Sequence, residues 1–165
     1  RQRQMCIRDS ANAVLAMLED SVRIVRRAAL DTLGKLEPAS LAQHADSVLA
    51  MLEDSEWNVR MQALKTLGKL EPTPLAQHAN AVLAMLEDSE RVVRTAAVEA
   101  LGKLEPAALA LYADAVVARL SDPSEHYLMR AYALDTLGKL EPATLAQYAD
   151  AIVARLSDSL SLIHI

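Results

Sequence analysis

The chain has 165 residues, 17 Lys and Arg against 22 Asp and Glu, a formal net charge of −5, one Cys and no Phe. An acidic balance disfavours wholesale binding to nucleic acid or anionic lipid, although a local basic stripe can persist. A lone cysteine excludes a disulfide framework and a thiolate metal cluster, and no apolar run approaches the ~18 residues that a membrane-crossing helix needs.

In chain order, residues 1–10 match nothing that follows, and neither do residues 160–165. Met5 to Ser10 can be encoded by a nucleotide string whose reverse complement, in a shifted frame, encodes Leu160 to His164 and begins Ile165. That string resembles the mosaic end of a sequencing-library transposon, and Arg1 to Gln4 fits the adapter upstream of it. Both tails are expected to be adapter-derived and are set aside, so the stretch between them is expected to be a window on a longer array. Without Arg1, Arg3, Arg8 and Asp9 the net charge moves from −5 to −7, and the only cysteine, Cys6, drops out.

From residue 11 onward one unit recurs. The string Leu-Gly-Lys-Leu-Glu-Pro stands at Leu33 to Pro38, Leu67 to Pro72, Leu101 to Pro106 and Leu137 to Pro142, with starts 34, 34 and 36 residues apart. A fixed period of this size marks a solenoid, whose units cannot bury their apolar faces alone. Units are expected near 11–36, 37–70, 71–104 and 105–140, with a half unit at 141–159. In the second unit Leu41, Ala45, Val48, Leu49 and Leu52 form one helical face, and a proline at the first turn suits a helix start. These first (A) helices are predicted near 11–19, 39–53, 73–87, 107–121 and 143–157. Asp54 or Ser55 can N-cap the second (B) helix, whose face is Val59, Ala63, Leu64, Leu67 and Leu70 and which Pro72 prevents from continuing. B helices are predicted near 22–36, 56–70, 90–104 and 124–140. Gly68 then lies inside a helix at a cost of up to ~1 kcal/mol, and its recurrence as Gly34, Gly102 and Gly138 points to close approach by a neighbour.

The run from Asp54 through Val59-Arg60 and Ala63-Leu64 to Leu67-Gly68 resembles the second-helix signature of HEAT and HEAT-like repeats, with Val25-Arg26, Val93-Arg94 and Met129-Arg130 in the same register. A tetratricopeptide repeat has a similar period and a Leu-Gly pair, but its helix continues beyond them, whereas here a proline follows the glycine by four residues. The resemblance implies an all-α fold, a right-handed α-α superhelix (solenoid) of about four and a half repeats. It further implies a ladder of inter-helix Asp with B-helix Arg running between adjacent units, on Asp20 and Arg26, Asp54 and Arg60, Asp88 and Arg94, and Asp122 and Arg130. The fourth spacing is eight instead of six, because two residues are inserted around Asp122-Pro123-Ser124.

Recognition is sought where the units differ. Three B-helix columns vary: Arg23, Trp57, Arg91 and Tyr127; Arg27, Met61, Thr95 and Ala131; Asp31, Lys65, Glu99 and Asp135. Their i, i+4, i+8 spacing makes one stripe off the apolar face, which the resemblance puts on the concave wall. Exposed Trp and Tyr beside Arg has the composition of a protein-binding hot spot; drift at surface positions gives the same variation. The candidate protein-binding residues are Arg23, Arg27, Trp57, Met61, Lys65, Arg91, Thr95 and Tyr127.

A further column, His44, His78, Tyr112 and Tyr148, is not expected to bind metal, since packed helices lie about 10 Å apart and coordination needs ~2.1 Å bonds. No cofactor or catalytic residue is assigned, because no phosphate loop or activated nucleophile is present and an active site is needed once, not four times. The expected function is a non-enzymatic scaffold binding a protein or peptide along the B helices, with no membrane partner. The alternatives are a HEAT-like enzyme or subunit similar to phycobilin lyases, and a nucleic-acid binder using Arg23, Arg27 and Arg91, which Asp31, Glu99 and Asp135 oppose. Localisation is not encoded, and a cytoplasmic setting is favoured. Leu145, Ala149, Ile152, Val153 and Leu156 are expected to leave an apolar flank through which the chain self-associates.

Overall fold

The computed structural model describes residues 11–154, and every regular element among them is helical. The adapter-like tails, Cys6 and Leu156 lie outside the described residues. The chain divides into two compact units, Arg1–His78 and Ala79–Ile165.

In the first unit, residues 11–16 are helical and run into a 3₁₀ turn at Met17–Glu19. There follow α1 (Arg23–Leu33), α2 (Pro38–Ala42), α3 (Ala45–Ala50) with a 3₁₀ turn at Met51–Glu53, α4 (Trp57–Leu67) and α5 (Pro72–Gln77). The second unit repeats the order: α6 (Ala79–Ala84) with Met85–Glu87, α7 (Arg91–Leu101), α8 (Pro106–Leu109) with Ala110–Tyr112, α9 (Ala113–Ser121), α10 (Tyr127–Leu137) and α11 (Pro142–Ala146). Residues 149–154 are helical again.

The A helices are not the unbroken rods that periodicity predicts. In place of one helix near 39–53, α2 ends at Ala42 and α3 begins at Ala45. His44 leaves the helical region at φ −116°, ψ 9°, its amide donates back three residues to the Leu41 carbonyl, and its own carbonyl then accepts from Ser47 and Val48 as the start of a new helix. His78 (φ −107°, ψ 3°) and Tyr112 (φ −114°, ψ 1°) make the same break. Apolar spacing could not reveal it, because the break preserves the face: Leu41, Ala45 and Val48 are all buried. The column considered for metal binding is thus where the A helix is interrupted.

The B helices also stop earlier than expected. They end at Leu33, Leu67, Leu101 and Leu137, and the glycine that follows is the C-cap residue rather than an interior one. The chain tightens there, with Lys35 donating to the Thr32 carbonyl and Leu36 to that of Leu33, the i→i+3 pattern common at helix ends. Gly34 has φ −68° and ψ −2°, which any residue adopts, so its value is space. A Cβ on Gly34 would come within 3.1 Å of Lys69 Nζ, and one on Gly102 within 2.7 Å of Thr136 Oγ1.

What approaches these glycines is therefore the end of another repeat's B helix. Lys69 Nζ donates to the Gly34 carbonyl at 2.9 Å and Thr66 Oγ1 to that of Leu30 at 3.0 Å. In the second unit Lys139 Nζ donates to Gly102 at 2.9 Å and Thr136 Oγ1 to Val98 at 3.3 Å. The Gly34 and Gly102 carbonyls stand past the helix ends, where the intrahelical ladder has run out, while those of Leu30 and Val98 already accept from the Gly34 and Gly102 amides and take the threonine hydroxyl as a second donor. Beside them Leu30, Leu33, Val59 and Leu64 are buried in the first unit, and Val98, Leu101, Met129 and Leu137 in the second, each such side chain contributing about 1.5–3 kcal/mol.

Candidate protein-binding surface

The charged ladder is set by the loops that enter the B helices. Asp54 does not cap α4 directly. Its Oδ1 accepts from the Glu56 amide at 2.9 Å, Glu56 being the N-cap residue, whose own side chain makes no cap bond. Asp20, Asp88 and Asp122 bond the amides of Val22, Glu90 and Ser124 in the same way, the local turn that Asp side chains favour.

Two ladder arginines, Arg26 and Arg94, each read their own loop through carbonyls and another loop through a carboxylate. Arg26 donates to the Asp20 and Ser21 carbonyls, and its fork meets Asp54 at 2.6 and 2.9 Å. Arg94 donates to the Asp88 and Ser89 carbonyls in the same way, but its fork meets Glu125 at 2.7 and 2.9 Å. The spacing rule had placed Asp122 at this inter-helix position. The two inserted residues carry Asp122 into a turn that binds the Ser124 amide and hydroxyl, and Glu125, 3 % exposed, supplies the acceptor. Arg119 reaches the same carboxylate at 3.5 Å.

Bidentate charge-assisted bonds of this kind are the strong ones, and the protonation equilibria reflect them. Hydrogen bonding to Asp54 holds the Arg26 guanidinium above the ordinary arginine value, and hydrogen bonding to Glu125 does the same for Arg94. Burial opposes charge on Asp54, yet the Arg26 bonds, the Glu56 amide and nearby Arg60 together hold its carboxyl below the usual carboxylate range. Arg60 donates to the Asp54 and Ser55 carbonyls.

The candidate recognition columns lie on the same helices as the ladder arginines. On α1, Arg23 and Arg27 are exposed and Asp31 is half-buried; on α4, Trp57 and Lys65 are exposed and Met61 is half-buried. Arg23 meets Glu56 at 3.3 Å, and the Lys35 ammonium at 2.7 Å holds the Asp31 carboxyl below its ordinary value. On α7, Arg91 is exposed while Thr95 and Glu99 are half-buried, Thr95 donating its hydroxyl to the Arg91 carbonyl. On α10, Tyr127, Ala131 and Asp135 are all exposed.

Column comparison overlooked the neighbouring stripe. Ile24 is 61 % exposed, Val92 41 %, Leu128 46 % and Tyr132 39 %. Leu128 and Tyr132 are one turn apart beside Tyr127, whose ring lies 4.1 Å from that of His126. The signal was present, since the columns Ile24, Asn58, Val92, Leu128 and Ala28, Gln62, Ala96, Tyr132 vary as freely as those chosen. The exposed residues of the first unit's stripe are thus Trp57 with Arg23, Arg27 and Lys65, and those of the second are Tyr127, Leu128 and Tyr132 with Arg91 and Asp135. Among the described residues no group of His, Cys, Asp and Glu is arranged to hold a metal ion, and no helix is long and apolar enough to cross a membrane.

Comparison with known proteins bears on the fold. The model of the HEAT repeats family matches residues 11–102 and 45–124. No curated protein matches the sequence. Among solved structures, a designed armadillo repeat protein in complex with the peptide (KR)4 superposes with a TM-score of 0.72 at 14% identity, covering 94% of this chain and 76% of that one. An engineered protein gives 0.72 at 13% identity, covering 92% and 73%. The complex of CpcE and CpcF of phycocyanin lyase from Nostoc sp. PCC7120 gives 0.60 at 17% identity, covering 93% and 89%.

Proposed function

The chain belongs to the HEAT repeat family, and on that premise we propose that it is a scaffold that binds a protein or an extended peptide on the exposed faces of α1, α4, α7 and α10. The observation that carries this reading is the placement of large apolar side chains. Trp57, Tyr127, Leu128 and Tyr132 face solvent on helices that already bury Val59, Ala63, Met129 and Leu137. These helices do not need the exposed aromatics for their own packing, and Trp and Tyr concentrate binding energy when a partner covers them. The designed armadillo protein is a peptide complex, which agrees with this use of the fold.

The nucleic-acid reading rests on Arg23, Arg27 and Arg91, which Asp31, Glu99 and Asp135 on the same stripe oppose, and the lyase-like reading has no residue of its own on this face. Peptides selected from a displayed random library on the purified chain test the proposal. Their affinity is expected to fall at least tenfold for Trp57→Ala or for the pair Tyr127→Ala and Tyr132→Ala. Leu111→Ala, at a site 78 % exposed and off this face, is expected to leave it unchanged. Equal binding by all three variants removes the face from consideration.

A further inference from the structure

The second unit contains an open groove of about 470 Å³ between the end of α10 and the helices after it, lined by Leu134, Gly138, Leu145, Ala149 and Ile152 among others. Its wall is almost wholly apolar. The repeat register assigns each lining residue a counterpart: Leu30, Gly34, Leu41, Ala45 and Val48 in the first unit, and Val98, Gly102, Leu109, Ala113 and Val116 earlier in the second. All ten counterparts are buried. Over the first set the helix that brings the sealing bonds is α4, with Thr66 on the Leu30 carbonyl and Lys69 on that of Gly34. Over the second it is α10, with Thr136 on Val98 and Lys139 on Gly102.

At the groove the same positions are open. Leu134, Leu145 and Ile152 are only half-buried, and Gly138 and Ala149 are exposed. A Cβ on Gly138 would meet nothing nearer than the Leu134 and Asp135 carbonyls, at 3.4 and 3.5 Å, whereas a lysine or threonine crowds Gly34 and Gly102. Arg130 stands in the register of Arg26 and Arg94, each of which grips a carboxylate just ahead of the covering helix. Among the described residues no carboxylate meets Arg130.

We propose that this groove is a docking site for an amphipathic α-helix of a partner chain, carrying the pattern that α4 and α10 share. The pattern is an acidic residue in the turn before the helix, a Val or Met two residues into it, Ala-Leu at its centre, and Thr-Leu-Gly-Lys at its end. The Ala and Leu side chains fill the apolar trough, burying area that water now covers. The lysine ammonium satisfies the Gly138 carbonyl past the end of α10, the threonine hydroxyl adds a second donor to the Leu134 carbonyl beside the Gly138 amide, and the leading acid takes Arg130. This is helix-in-groove recognition using the chemistry by which the array seals its own helices, and the site is separate from the exposed B-helix face.

A fluorescein-labelled peptide with the sequence of residues 54–70, titrated into the 165-residue chain and followed by anisotropy and far-ultraviolet circular dichroism, tests this. Saturable binding with a gain in helicity is expected, and the peptide carrying Leu67→Asp is expected to bind at least tenfold more weakly. In the chain, Ile152→Asp should weaken binding at least tenfold. Gly138→Leu, which the backbone accommodates but which fills the seat of the lysine, should do the same. Trp57→Ala should change nothing, which separates this site from the face proposed above. Absence of saturation, equal affinity for the Leu67→Asp peptide, or undiminished binding by a folded Gly138→Leu chain would overturn the proposal. So would a chain that occupies the groove by dimerising through Ile152 and takes no peptide.

Discussion

The two units solve one electrostatic problem with different residues. In the first, the Arg26 fork closes on Asp54, which also folds its own turn by accepting from the Glu56 amide. In the second, two inserted residues separate these tasks, so that Asp122 folds the turn while Glu125 receives Arg94 and lies near Arg119. What the fold holds constant is a carboxylate in front of the arginine. A longer side chain further along the loop replaces a short one once the loop has lengthened.

The largest expected effect follows from the difference in burial. The Glu125 side chain is 1 % exposed against two guanidinium groups, and that of Asp54 is 6 % exposed against one. Removing one member of a buried pair leaves uncompensated charge and costs about 3–5 kcal/mol, so Glu125→Ala should fall in that range, with two arginines stranded together. Asp54→Ala strands one arginine that keeps its carbonyl bonds, and a loss of about 2 kcal/mol is expected. Urea denaturation of the two variants checks the order, and the reverse order would break the comparison.

The glycines sharpen it next. A Cβ at Gly102 would stand 2.7 Å from Thr136 Oγ1, a buried hydroxyl fixed by its bond to Val98, whereas at Gly34 the nearest atom is the flexible end of Lys69 at 3.1 Å. Gly102→Ala is expected to destabilise by about 1–3 kcal/mol, as overpacking does. Gly34→Ala should lie within about 0.5 kcal/mol of neutral, because reduced freedom of the unfolded chain offsets a small shift of the lysine. Thermal melting of the pair distinguishes crowding from any general intolerance at the helix end.

These positions show how far the sequence could be read. The period, the HEAT signature and the apolar faces of Leu41, Val48, Val59 and Leu67 were legible because burial imposes a helical spacing on them. The break at His44 was not, because it keeps Leu41, Ala45 and Val48 on one side. Glu125 was missed because spacing follows chain position, while the ladder answers to where a carboxylate can reach after an insertion. Tyr132 was missed although its column with Ala28, Gln62 and Ala96 varies as freely as those chosen, because variation marks a position without showing which side chains stand beside it. The Arg23, Trp57, Arg91 and Tyr127 column was legible as exposed, but exposure does not name a partner.

Acid separates the contribution of the first unit's rung. The folded-state pKa of Asp54 is depressed, so the stability it contributes is fully present above the unfolded aspartate value of about 3.9. It is lost as pH falls through the depressed folded value. The urea midpoint of the parent chain should therefore decline below about pH 4, and Asp54→Asn should be less stable at pH 7 with a gap that narrows as the acid range is entered. A constant gap from pH 7 to pH 2 would mean that Asp54 acts by shape rather than charge.

The smallest expected effect tests whether burial, rather than pairing as such, separates the ladder from the charges around it. Arg23 and Glu56 come from the same helix and the same loop as Arg26 and Asp54, but they meet at a single 3.3 Å contact with side chains 57% and 36% exposed. Water and salt screen such a pair, and holding two long side chains together costs most of what the attraction returns. A double-mutant cycle on Arg23→Gln and Glu56→Gln should give a coupling below about 0.5 kcal/mol, shrinking further in 0.5 M salt, whereas the cycle on Arg26→Gln and Asp54→Asn should exceed it several-fold with little salt dependence. Comparable couplings would mean that proximity alone, not desolvation and the bidentate fork, accounts for the rung.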